Sequence, residues 1–274
     1  MNFFSFHTKT ENNAPTGRYT VTASVGGVKF SKIIQVETIK PNRLKLELSF
    51  DSDTLYPAKG AIRSHLFAKW LTGATARNLK GEVEVIFRNA KTSFKGYEDY
   101  TFTSPARQLP GYSDYFWDGY VDETGNADFS EYLNVSDDAP GMLNAIFTTR
   151  VFEKSGDFSI DQMTVPCSPY NTYVGIKTPP GDKRNMLLND TAQTVQVVTL
   201  SSSGDPLTKV GLDVKVYKLS WRWWWDASSE NIASYMGSSY RTPVYSTTIS
   251  TKRGKGSFDF RVNYPDWGRY LVMV

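Results

Sequence analysis

The sequence is poor in the residues that do chemistry. Cys167 is the single cysteine, so no disulfide can close within the chain. Large β-domains do not need such staples, so this neither requires nor excludes an oxidising compartment. The two histidines, His7 and His65, lie 58 residues apart. A Ser-His-Asp or Cys-His arrangement needs a histidine beside a nucleophile, and a lone strand histidine is more simply structural. Two histidines and one cysteine without ligand spacing do not make a zinc site. There is no phosphate-binding or dinucleotide-binding glycine pattern, and no cofactor is expected. No run of about 18 apolar residues exists to cross a membrane. The start, Met1-Asn2-Phe3-Phe4-Ser5-Phe6, lacks the ordered basic, apolar and small-residue segments of a signal peptide. An exported protein would carry that signal outside these residues. Charge is nearly balanced at +3, with Lys and Arg dispersed among Asp and Glu. Nucleic acid needs a basic stripe, and none is visible.

What the chain has in quantity is aromatic and turn-forming residues. It holds 16 Tyr, 16 Phe and 7 Trp with 20 Gly and 13 Pro, which favours strands and turns over helices. Its 274 residues suffice for about two domains. One short pattern organises them. Gly17-Arg18-Tyr19-Thr20-Val21-Thr22-Ala23 returns as Gly268-Arg269-Tyr270-Leu271-Val272-Met273-Val274. A weaker version, Gly141-Met142-Leu143-Asn144-Ala145-Ile146, lies between, at intervals of 124 and 127 residues. Each is a turn glycine followed by the period-2 alternation of a half-buried strand.

Along the chain, residues 3–7 read as a short strand. Val25-Gly26-Gly27-Val28 reads as a hairpin turn between the Gly17 strand and a return strand from Lys29 to Glu37. Leu44, Leu46, Leu48 and Phe50 alternate with polar residues and open a new unit after Pro41. Ile62 to Trp70, a strand around Val83, Val85 and Phe87, the Gly141 strand and a last strand to Val165 follow. Pro166-Cys167-Ser168-Pro169-Tyr170 reads as a linker, because its prolines cannot donate to a ladder. The next unit opens at Thr172-Tyr173-Val174-Gly175. It continues through Thr194–Leu200, with Val195, Val197 and Thr199 on one face, and through Leu212, Val214, Val216 and Lys218. Residues 247–262 read as a hairpin about Arg253-Gly254-Lys255-Gly256, and the Gly268 strand closes the chain.

The repeat goes deeper than one strand. Gly73…Leu79…Val83-x-Val85 matches Gly204…Val210…Val214-x-Val216, and Thr124-Gly125-x-Ala127-x-Phe129 matches Arg253-Gly254-x-Gly256-x-Phe258. Serial copies of one all-β domain of about 125 residues follow, most simply antiparallel two-sheet sandwiches. The expected division is a tail of strands over 1–40, a complete sandwich over 41–167 and a second over 168–274 lacking its final return strand. The Gly268 strand should then have an unpaired edge.

Three features resemble the macroglobulin-like domains of bacterial alpha-2-macroglobulin family proteins. One is the Gly17-Arg18-Tyr19 strand with its exit Ile34-Gln35-Val36-Glu37 into Pro41-Asn42-Arg43-Leu44. Another is Ser168-Pro169-Tyr170-x-x-Tyr173-Val174-Gly175. The third is Val214 through Trp221-Arg222-Trp223-Trp224-Trp225-Asp226, followed by Trp267-Gly268-Arg269-Tyr270. The resemblance implies strings of β-sandwiches in the periplasm or cell envelope. When a protease cuts their bait segment they collapse around it, and a Cys-x-Glu-Gln thioester can bind it covalently. Cys167 is followed by Ser168-Pro169-Tyr170, so it does not fit that thioester. The implied role is non-catalytic scaffold. Its partners would be other domains of the same long polypeptide and, through the full-length protein, target proteases.

Two other constellations have a sharp and a plain reading. Trp221, Trp223 and Trp225 would share one face of a strand, with Trp224 on the other. They suit either a stacking platform for sugar rings or a protein partner, or a core strand under the polar stretch that follows. The first option makes a carbohydrate- or surface-binding module the alternative function. The acidic pairs Asp51/Asp53, Asp122/Glu123 and Asp137/Asp138 could serve glycoside hydrolysis or calcium. All three sit at turns, where Asp satisfies backbone donors.

Overall fold

A computed structural model describes residues 17–36, 41–109, 111, 113–219 and 243–274. The chain divides into two compact units, Met1–Asn42 and Arg43–Val274. Strands make up nearly all of the regular structure, as alternating aromatic and β-branched residues dictate.

The first unit holds the hairpin of β1 (Gly17–Val25) and β2 (Val28–Val36), paired antiparallel in register from Gly17↔Val36 to Val25↔Val28. Gly26 and Gly27 both have positive φ, +58° and +83°. A two-residue turn of this hand demands that conformation and glycine meets it without strain. Val25, Phe30 and Ile33 are exposed on the hairpin.

The second unit contains two sandwiches. The first pairs a sheet of β3 (Leu44–Phe50), β4 (Ile62–Trp70) and β7 (Asn126–Glu131) with a sheet of four strands. Those four run in the order β6 (Ser113–Tyr120), β5 (Lys80–Asn89), β8 (Leu143–Phe152), β9 (Phe158–Cys167). Alternation does the work: Leu44, Leu46 and Leu48 are buried while Lys45, Glu47 and Ser49 face water. On β8 every second residue from Leu143 to Val151 is buried. Phe147 is fully buried at the centre, its ring 4.7 Å from Phe50 and 5.1 Å from Phe116. A bulge opposite Val83 and Glu84 leaves Phe116 without a cross-strand partner and turns both Phe116 and Trp117 toward the core. Trp117 stacks on Phe129 at 4.5 Å, and only glycine fits at Gly81 and Gly119, where a Cβ would meet the indole at 2.8 and 2.4 Å.

The second sandwich repeats this order. One sheet is β10 (Thr172–Lys177), β11 (Ala192–Ser201), β14 (Lys255–Arg261). The other is β13 (Tyr245–Thr251), β12 (Lys209–Leu219), β15 (Arg269–Met273). Adding seven to each label of the first sandwich gives the second, apart from β9, which has no counterpart among the described residues. Val195, Val197, Val214, Val216 and Phe258 form its inner core. Both sandwiches are antiparallel throughout, the all-β tandem that the sequence pattern predicts.

Two sequence readings need correction. Residues 247–262 are not a hairpin in one sheet: β13 and β14 belong to opposite sheets. The turn at Arg253 and Gly254, with φ of +51° and +77°, carries the chain across the core, and only Lys252↔Lys255 bridges it. Residues 166–170 are not a free linker either. Pro166 and Cys167 pair with Asn144 and Leu143 at the end of β9. Proline is tolerated because β9 is an edge strand and Pro166 turns away from β8. Its carbonyl accepts from the Leu55 amide at 2.8 Å, and Ser168 donates back to the Leu55 carbonyl at 2.8 Å.

Candidate functional site

The densest cluster of interactions outside the two cores lies where the sandwiches meet. The segment between β5 and β6 carries Phe94, Tyr97, Tyr100 and Phe102 onto β10 and β11 of the neighbour. Phe94 meets Phe102 edge-on at 4.9 Å and Tyr173 at 5.3 Å. Val198 and Leu200 complete the buried cluster. Strand β11 is therefore buried on both faces, Val195 and Val197 toward its own core and Val198 and Leu200 toward the joint. The alternation Val195/Val197/Thr199 predicts only the first face. The aromatic segment that covers the second comes from about 100 residues earlier in the chain.

Backbone bonds lock the same joint. Thr101 and Ile176 exchange two backbone hydrogen bonds, the Thr101 amide donating to the Ile176 carbonyl at 2.9 Å and the Ile176 amide to the Thr101 carbonyl at 3.0 Å. Gly175 is glycine because a Cβ there would stand 2.5 Å from the Phe102 ring and 2.8 Å from Val198. A glycine inside the strand pattern Thr172-Tyr173-Val174-Gly175 is the sequence signal of such a close approach.

Polar groups rim the cluster. The Tyr173 hydroxyl meets Ser168 Oγ at 2.7 Å, and burial raises the Tyr173 pKa against the opposing pull of that bond. The Tyr170 hydroxyl lies 2.6 Å from the Ala139 carbonyl and 2.9 Å from that of Asp137, and it accepts from Arg107 at 2.9 Å. Lys177 Nζ donates to Asp99 at 2.9 Å, which raises the lysine pKa. The Tyr100 hydroxyl reaches Gln196 Oε1 at 3.0 Å. Apart from the Tyr173–Ser168 pair, which lies within the second sandwich, these pairs bind one sandwich to the other.

The other candidates resolve as follows. Trp221, Trp223, Trp224 and Trp225 lie outside the described residues, as does His7. His65 Nδ1 pairs across β4 and β7 with Asp128 at 2.7 Å, near the surface. Asp122 is a turn cap: its carboxylate accepts from the Asn126 amide at 2.9 Å and from the Thr124 amide and hydroxyl at 2.7 Å each. These bonds, the Asn126 amide foremost, lower its pKa. Asp182 caps the Arg184 and Met186 amides in the same way, and with no acidic neighbour it carries no paired-carboxylate signal in the sequence. Among the described residues no group of three or more His, Cys, Asp or Glu is placed to hold a metal ion. Cys167 is buried, and that burial pushes its thiol up to about 12, far from a reactive thiolate. No helix among the described residues is long and apolar enough to cross a membrane.

Comparison with known proteins places this architecture. A comparison with curated proteins found no match. Among solved structures, trypsin-activated alpha-2-macroglobulin from Escherichia coli is similar over 94% of this chain, with 17% identity and a TM-score of 0.52. The E. coli protein activated by porcine elastase matches over 95% of the chain with 18% identity and a TM-score of 0.48. Salmonella alpha-2-macroglobulin reacted with methylamine matches over 95% with 18% identity and a TM-score of 0.44. The chain spans 17% of the first, 23% of the second and 17% of the third. Family models match in tandem: the bacterial alpha-2-macroglobulin MG5 domain over residues 42–169, then bacterial macroglobulin domain 6 over residues 175–274. With two consecutive macroglobulin domains covering most of its length, the chain belongs to the bacterial alpha-2-macroglobulin family.

Proposed function

We propose that this chain is a non-catalytic scaffold segment of a periplasmic or cell-envelope protease inhibitor. Its division is a tail of strands of one domain over 1–40, a complete macroglobulin-like sandwich over 41–167 and a second over 168–274. Among the described residues the second has no counterpart of β9. The observation that carries the reading is the tandem of MG5 and MG6 matches joined through a buried aromatic cluster. A joint of this kind transmits force between domains, whereas a catalytic cleft needs titratable groups with displaced pKa values gathered in one place. The displaced groups among the described residues are dispersed caps and ion pairs, with Cys167, Tyr173 and Tyr270 shifted by burial.

In this mechanism the two sandwiches move as one piece. Thr101–Ile176 pairing and the Phe94–Phe102–Tyr173 cluster hold their angle. A cut elsewhere in the longer polypeptide would be felt here as a change at interdomain contacts. The bait segment and any thioester belong to that longer polypeptide, since Cys167 is a buried strand-end thiol. Partners are the protein's other domains and, through the whole protein, proteases.

The test is an inhibition assay with trypsin and elastase acting on a large protein substrate. The full-length product of the gene should protect the substrate, and the 274-residue chain should leave cleavage unchanged. Inhibition by the chain alone, or hydrolysis of any ester or glycoside by it, would refute the scaffold role.

A further inference from the structure

The outer face of the four-stranded sheet in the first sandwich is ordered in rows that run across its strands. In one row Tyr120 of β6 stands opposite Lys80 of β5, and Phe152 of β8 stands opposite Phe158 of β9. Lys80 Nζ joins the two halves of this row, 5.9 Å from the centre of the Phe152 ring. The Phe152 and Phe158 rings meet at 5.6 Å. In the next row Asp118, Glu82, Arg150 and Ile160 stand opposite one another in turn. Beyond it lie Tyr115, Glu84, Thr148 and Gln162. Tyr115 and Tyr120 are 69% and 67% exposed, and Phe158 is 46% exposed. Exposed rings therefore flank a polar centre on a surface four strands wide.

The charges of that centre compensate one another. Lys80 pairs with Glu82 at 2.7 Å and with Asp118 at 3.2 Å, and these bonds raise its pKa to about 12. Arg150 pairs with Glu84 at 3.0 Å. A charged partner therefore finds no surplus charge in the centre to attract it. The rings do not merge into one dry patch, because Lys80 separates Tyr120 from Phe152. The buried centre of a protein interface needs such a patch. Exposed rings beside fixed donors and acceptors suit a neutral molecule that is apolar on its faces and hydroxylated round its rim. A sugar ring has that form. The fold does not demand the rings. Strand β13 holds the place of β6 in the second sandwich, and it sets Thr248 and Ser246 opposite Asp213 and Lys215.

We infer that the outer face of β6, β5, β8 and β9 is a carbohydrate-binding platform. Its ligand is a neutral, extended glycan lying across the strands. Tyr120, Phe152 and Phe158 stack against the apolar faces of its sugars. The carboxylates of Asp118 and Glu82 accept from its hydroxyls, and Arg150 donates to them. With β5 between their strands, Tyr120 and Phe152 stand two strand spacings apart, about 10 Å. That is the length of a disaccharide in such a chain. The ion pairs hold the polar groups in place before the ligand arrives, which lowers the ordering cost of binding.

The test uses the full 274-residue chain and two neutral probes, cellohexaose and the hexamer of N-acetylglucosamine. At least one should bind with a dissociation constant of about 0.1–1 mM, unchanged by added salt. Amide shifts should move along β5, β6, β8 and β9 and stay still along β3, β4 and β7. Tyr120→Ala and Phe158→Ala should each weaken binding about tenfold. Tyr132→Ala removes an exposed ring beside β7 of the opposite sheet and should leave binding unchanged. No shifts with either probe at about 10 mM, or shifts centred on another face, overturn the platform. Binding that survives both Tyr120→Ala and Phe158→Ala also overturns it. So does self-association of the chain through this face without glycan, in favour of a second copy as its occupant. Protease inhibition enters none of these readouts, so a failed titration leaves the inhibitor assignment untouched.

Discussion

The two sandwiches are built on one plan and reach it to different degrees. The first closes its core with β9, and its cluster of buried residues runs from Leu44 to Cys167. The second has the same strand order without a described counterpart of β9, and its inner core is five buried side chains. It also leans on its neighbour: Val198 and Leu200 are buried only because Phe94 and Phe102 reach across. Among the described residues, the first sandwich buries its core with its own strands, and the second buries part of its apolar surface against the first. The joint is therefore part of the stability of the second sandwich as well as a connection between domains.

The comparison can be broken at its strongest point. Phe147→Ala removes a fully buried ring beside Phe50 and Phe116. It should cost about 4 kcal/mol in urea unfolding. The loss should fall in the transition reported by Cys167 labelling, since Cys167 belongs to the same core. Equal loss in a probe confined to the second sandwich would mean that the two do not unfold separately even when the first is weakened.

Phe102→Ala attacks the joint. It should cost about 3 kcal/mol and, more tellingly, split one calorimetric transition into two, the second sandwich melting first. A single transition after this change would show that the cluster does not couple the sandwiches. Val214→Ala in the smaller core should cost about 2 kcal/mol, with Cys167 labelling unchanged at low denaturant.

Tyr170→Phe removes one hydroxyl that lies against Ala139 and Asp137 carbonyls and accepts from Arg107. About 1 kcal/mol is expected, read as a small downward shift of the single transition.

The smallest effects are in pH. Asp122 has a lowered pKa, so its cap stabilises the folded state above the ordinary carboxylate range and fades as pH falls through its folded value. Asp122→Asn should flatten that part of the acid limb. Cys167 runs the other way. Its pKa rises from 9.0 to about 12, so the buried thiol's contribution is whole below the lower value and declines as pH climbs between them. Cys167→Ala should remove that alkaline decline.

Much of the fold is legible in the sequence because its strands are amphipathic in the simplest way. Leu44/Leu46/Leu48 and Ile62–Trp70 read directly, as does the Gly26-Gly27 turn, since each is local. Three things were not local. The second buried face of β11 depends on a loop from the preceding sandwich. The crossing at Arg253-Gly254 looks like any short hairpin until the partners of β13 and β14 are known. Pro166 reads as a breaker because sequence does not tell an edge from a centre, and on the outer side of β9 it breaks nothing. The joint itself left a faint trace in Gly175, whose missing side chain makes room for Phe102.

The most direct measurement is residue-level hydrogen exchange of the 274-residue chain under native conditions, comparing β8 with β15. Strand β8 has neighbours on both sides, and all of its amides should be protected from Leu143 to Phe152. In β15, protection should alternate over 270–274. Amides bonded to β12 should exchange slowly, and those on the other side of β15, where no described strand pairs, should exchange close to the rate of an open chain. Uniform strong protection along β15, equal to that of β8, would contradict the account of one closed and one open sandwich.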